Sequence, residues 1–91
     1  MDVLPNLKKK DIMHILQIGS DRATRMLENG EIPAFKIGKV WHIPVAEFTK
    51  WLENNCKQQA RVQGYIYANQ INFIEVMTRY HQFLKEKGYL E

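Results

Sequence analysis

Basic side chains fall into three groups in the first half of the chain: Lys8, Lys9 and Lys10, then Arg22 and Arg25, then Lys36 and Lys39. Ammonium and guanidinium groups neutralise phosphates, and the fork of an arginine matches the two acceptors on a guanine edge. Ser20, Asp21 and Thr24 stand beside the arginines. Their short polar side chains can hydrogen-bond to base edges. The bland alternative is a set of solvated charges, with Asp21 and Arg25 paired one helical turn apart. A net charge of +3 permits a polyanionic partner without demanding one. The clustering, rather than the total, carries the argument.

Other chemistries find less support. His14, His42 and His81 are scattered without ligand spacing, so no metal site is expected. Cys56 is the only cysteine, which excludes an internal disulfide. No nucleophile, base and orienting group can be assembled by spacing, and Gly38-Lys39 alone is a turn rather than a phosphate loop. The expectation is a protein that is not an enzyme and takes no cofactor. The chain is 45% hydrophobic and 25% charged, a composition that folds. Its 91 residues allow one small core with room for an appended helix. No apolar run approaches the roughly 20 residues that span a membrane. The opening "MDVLPNLKKK" is too short and polar for a signal peptide, so a soluble, cytoplasmic protein is expected.

The basic groups must be positioned by elements that the apolar spacing reveals. Ile12, Ile15 and Leu16 share one face of a helix predicted over 11–18, which Gly19 breaks. A second helix is predicted over 20–29, with Gly19 as N-cap and Ala23, Met26 and Leu27 as its apolar stripe. Ser20, Asp21, Thr24, Arg25 and Glu28 face away from that stripe. Asn29-Gly30 ends the helix. In "NGEIPAFKIGKVWHIP", Pro33 forbids further helix, and Phe35, Ile37, Val40, Trp41 and Ile43 favour strands around a Gly38-Lys39 turn. The spacing predicts a hairpin of about four residues per arm, whose inner face joins the core. Pro44 is expected at the first position of a third helix, from 45 to about 56, with Phe48, Trp51, Leu52 and Cys56 inward. Trp41 is expected in the core, and His42 on the opposite strand face as a weak phosphate contact.

Two helices joined by a tight turn and followed by a basic-tipped hairpin form a winged helix-turn-helix in outline. In that frame the second helix enters the major groove and Lys39 meets a phosphate. The stretch from Leu7 to Asn55 resembles the excisionase-type DNA-binding domain, related to the MerR regulators. The matching pieces are "ILQIGSDRATRML", "NGEIPAFKIGK", "VWHIP" and "EFTKWL". The resemblance implies a mainly α fold with a small β-hairpin: a MerR/excisionase-like winged helix-turn-helix carrying an additional C-terminal helix. It implies a double-stranded DNA partner and a recombination directionality or architectural factor of a phage or other mobile element, acting beside an integrase. The chain departs from the family where Val40 and His42 replace basic residues on the wing. It departs again where Lys8-Lys9-Lys10 opens the first helix against its dipole, which a phosphate held by Lys9 and Lys10 would relieve.

The expected domains are 1–57, the winged unit, and 58–91, a helical extension. Lys57–Gly64 is predicted as linker or frayed helix, and a last helix over 68–87 carries Phe73, Met77, Tyr80 and Leu84 at four-three-four spacing. That stripe can pack back on the chain, pair with a second copy as an oligomerisation face, or bind an integrase or repressor. Two other functions remain open: a transcriptional repressor with the same fold, and an adaptor or anti-repressor that does not bind DNA.

Overall fold

The computed structural model describes residues 6–61 and 71–89. In chain order the elements are β1 (Asn6–Leu7), α1 (Lys9–Leu16), α2 (Ser20–Glu28), β2 (Phe35–Ile37), β3 (Val40–Pro44), α3 (Val45–Arg61) and α4 (Phe73–Glu86). The strands form one antiparallel sheet in the order β1-β3-β2. The chain divides into two compact units, one ending at Trp51 and the other starting at Leu52. The boundary falls inside α3, six residues before the expected division at 57.

The first unit is built on the apolar stripes read from the sequence. Ile12, Ile15 and Leu16 of α1, Ala23, Met26 and Leu27 of α2, and Phe48 of α3 are buried. Three further core residues, Leu7, Ile32 and Ile43, lie outside those helical stripes. Leu7 is buried because β1 pairs with β3, Leu7 opposite Ile43 and Asn6 opposite Pro44. Pro44 therefore closes β3 instead of opening α3. A proline is tolerated there because the missing N–H is needed only where a ladder bond would form.

Helix α1 starts two residues earlier than expected, and it ends at Leu16 rather than Ile18. The early start has a local cause. The Asp11 carboxylate accepts a hydrogen bond from the Lys8 backbone N–H at 2.8 Å, half of a capping box, and puts a negative charge in the first turn. At the other end Gln17, and not Gly19, breaks the helix: its φ of 56° is left-handed. Its side-chain amide donates to the His14 carbonyl at 2.7 Å, which offsets part of the roughly 1 kcal/mol cost of that conformation. Gly19 is the N-cap of α2 as expected.

Helix α2 ends in a double-bonded cap. The Gly30 N–H donates to the Leu27 carbonyl at 3.2 Å and the Glu31 N–H to the Met26 carbonyl at 3.0 Å. This pairing requires a left-handed residue at Gly30, whose φ is +76°. The chain then turns and buries Ile32 before entering the hairpin. At the hairpin tip Gly38 has φ +61° and Lys39 an ordinary negative φ, the II′ pattern with glycine first. The arms are three and five residues long. Of the hairpin, only Ile43 is fully buried, with Trp41 half-buried.

The second unit consists of the end of α3 and α4. Helix α3 continues to Arg61, through part of the segment expected as linker; residues 62–70, with Tyr65 and Tyr67, lie outside the described ones. Its Gln59 side chain explains why the polar stretch stays helical. The amide donates to the Ile71 carbonyl at 2.7 Å and accepts from the Phe73 N–H at 2.8 Å. It thereby stands in for a backbone partner at the entrance to α4. Asn72 caps α4, its side-chain oxygen accepting from the N–H groups of Ile74 and Glu75. The predicted start at 68 is thus replaced by Phe73. Val76, Tyr80, Phe83 and Leu84 of α4 are buried. Of the residues expected to meet a second copy, Tyr80 and Leu84 are buried in the chain, while Phe73 and Met77 are half-buried. Ile74 is the large apolar side chain that α4 exposes, at 60%.

Candidate nucleic-acid interface

Helix α2 presents a polar face because its apolar stripe is used by the core. Ser20, Asp21, Arg22, Arg25 and Glu28 are exposed, and Thr24 is half-buried. Among the described residues the Arg25 guanidinium makes no hydrogen bond or ion pair, so the helical pair with Asp21 is not formed. That leaves a charged, forked donor directed at solvent from the helix face. Lys10 and Lys39 are likewise exposed without a side-chain partner among the described residues.

The start of α1 ties the two other parts of this surface together. The Lys9 ammonium donates to the Ser20 hydroxyl oxygen at 2.8 Å, joining the first residue of α1 to the first residue of α2. Its neighbour Lys8 donates to His42 Nδ1 on β3 at 3.1 Å. The His42 ring also stacks on Phe35 across the strands, centroids 5.3 Å apart. His42, expected as a weak phosphate contact, is thus held between Lys8 and Phe35. On the other face of the hairpin the Lys36 ammonium lies over the Trp41 ring at 5.2 Å. This cation–π contact orients Lys36 without consuming its charge.

Sequence reasoning missed the Lys8–His42 link and the Asp11 cap. The second had a local signal, an acidic residue three positions after the cap; the first had none, since 34 residues separate the partners.

A family model described as Helix-turn-helix domain matches residues 7–56, more than half of the chain. The chain belongs to this family of excisionase-like helix-turn-helix domains. No curated protein and no solved structure matches it. The matched span begins at Leu7, inside β1, and ends within α3. The helix-turn-helix domain therefore contains every residue named above as a candidate contact, from Lys9 to His42. A domain of this kind implies DNA as its partner. Among the described residues no helix is long and apolar enough to cross a membrane, and no cluster of three or more His, Cys, Asp or Glu could hold a metal ion.

Proposed function

We propose that this protein is a non-enzymatic, sequence-specific binder of double-stranded DNA that acts as an excisionase-like directionality or architectural factor of a mobile element. Helix α2 enters the major groove with Ser20, Asp21, Arg22, Thr24 and Arg25 toward the base edges. Lys9, Lys10, Lys36, Lys39 and His42 serve the phosphates on either side. The observation that carries this reading is Arg25, exposed and without a partner among the described residues, on a helix-turn-helix whose other helix face is committed to the core.

One such unit reads few base pairs, and a net charge of +3 gives a modest electrostatic contribution. Useful occupancy then needs repeated sites or self-association. On α4, Ile74 with Phe73 and Met77 is the surface left for a second copy, an integrase or a repressor. In a selection from genomic DNA fragments at two salt concentrations, wild type is expected to enrich discrete sites. The double variant Arg25→Ala/Lys39→Ala is expected to lose them. Direct repeats beside an attachment site support excision, and a palindrome at a promoter supports transcriptional repression instead. Absence of any enriched fragment overturns DNA binding and returns the search to protein partners.

A further inference from the structure

Lys8, Lys9 and Lys10 are consecutive in sequence, and the fold gives them three different surroundings. The Lys8 ammonium lies 3.1 Å from His42 Nδ1 on β3. Lys10 is exposed. Lys9, the first residue of α1, donates to Ser20 Oγ at 2.8 Å, and Ser20 opens α2. The two helices do not need this bond to stay together. Their apolar stripes are already buried, and an exposed bond between side chains adds little to stability.

Its consequence is directional. An ammonium can only donate, so the Ser20 oxygen must accept. One lone pair of the hydroxyl is thereby used, and its hydrogen points away from Lys9. A hydroxyl that accepts from a cation is polarised into a stronger donor. Ser20 is exposed, and the described residues give its hydroxyl no other partner. We propose that Lys9 is a positioning residue that sets Ser20 as a hydrogen-bond donor toward the bases, so that the bound site carries guanine or thymine, and not cytosine, at the base Ser20 faces. The inference rests on the DNA-binding reading given above and names what one position of that surface selects. In the major groove guanine offers O6 and N7 and thymine offers O4, all acceptors, whereas cytosine offers the N4 amino group, a donor. A serine without a fixed partner serves either kind. Ser20 accepting from cytosine as well as from Lys9 would leave its own hydrogen without an acceptor in a desolvated interface, which is the costly arrangement. Lys9 keeps two N–H groups for a phosphate, so it joins backbone contact to base reading.

The test uses the full chain and a duplex that wild type selects from a random-sequence pool, remade with each of the four bases at every position. Wild type is expected to show a position where guanine or thymine binds about tenfold tighter than cytosine. Ser20→Ala, at an exposed site, is expected to flatten that position alone, with the salt slope unchanged. Lys9→Ala is expected to flatten the same position and to lower the salt slope by about 1, because its phosphate contact goes too. Lys9→Arg, which still donates to Ser20, restores the preference. Thermal melting checks that each variant is folded. The inference is overturned if Lys9→Ala lowers affinity for every sequence alike and keeps the preference that Ser20→Ala removes, which makes Lys9 a phosphate contact alone. It is also overturned if Ser20→Ala changes no base preference. In both cases loss of the selected duplex by Arg25→Ala leaves the α2 reading intact. A wild-type chain that selects no duplex removes the DNA-binding reading and this inference together.

Discussion

The two units use apolar surface in opposite ways. The unit ending at Trp51 closes its core with Leu7, Ile12, Ile15, Ile43 and Phe48 and still leaves Phe35, Ile37 and Val40 in solvent. The unit starting at Leu52 buries Val76, Tyr80, Phe83 and Leu84 and exposes Ile74 on α4. Their polar groups differ in the same sense. In the first, Arg25, Lys10 and Lys39 point outward without partners among the described residues. In the second, Gln59 and Cys56 are turned onto the backbone at residues 71 and 73. Surface without internal partners marks the first unit for binding, and inward-directed polar groups mark the second for holding itself together.

The comparison can be broken most forcefully at Phe48. Its ring is fully buried and stacked on Trp51 with centroids 5.5 Å apart. Phe48→Ala is expected to destabilise the first unit by about 4 kcal/mol and to abolish DNA binding, as read by thermal melting and by anisotropy. Retained DNA affinity in a melted first unit would remove the assignment of binding to it.

Gln59→Leu tests the second unit at smaller cost. It removes the acceptor for the Phe73 N–H and the donor to the Ile71 carbonyl, an expected loss of about 2 kcal/mol. Amide exchange over α4 should accelerate while amides of α1 and α2 keep their protection. Equal acceleration in all three helices would show that the division between units has no energetic meaning.

The smallest effect concerns Cys56. Burial pushes its thiol pKa up, with the Glu53 carboxylate adding to the shift, and the thiol donates to the Phe73 carbonyl at 3.1 Å. A raised folded-state pKa gives stability that is fully present below the unfolded pKa of about 8.5 and is lost as pH rises through the folded value. The second unit should therefore show flat stability at neutral pH and a decline at alkaline pH that Cys56→Ala removes. Alkylation at neutral pH should be slower than that of a free thiol. Fast alkylation would contradict the inward orientation.

Legibility from sequence followed the range of the interactions. The stripes Ile12-Ile15-Leu16 and Ala23-Met26-Leu27 were readable because helical periodicity repeats within a few residues. The Gly30 cap, the Gly38-Lys39 turn and the exposed set Ser20, Asp21, Arg22 and Arg25 were readable for the same reason. β1 was not, because two residues have no periodicity and become a strand only through β3. The ends of α1 shifted because Asp11 and Gln17 supply hydrogen bonds that an apolar stripe does not encode.

By itself, the sequence determined that this chain has a helix-turn-helix followed by a basic-tipped hairpin, because spacing, capping and turn chemistry are local and strong. It also determined which charges are available for a polyanion. Only tertiary structure decided which hairpin face turns inward. Strand alternation defines two faces but not their direction, and here the pairing of β3 with β1 buried Ile43 and so sent Phe35, Ile37 and Val40 outward. Tertiary structure likewise decided that Tyr80 and Leu84 are internal. An amphipathic stripe states that a helix needs a partner, and only the folded chain shows Tyr80 and Leu84 covered.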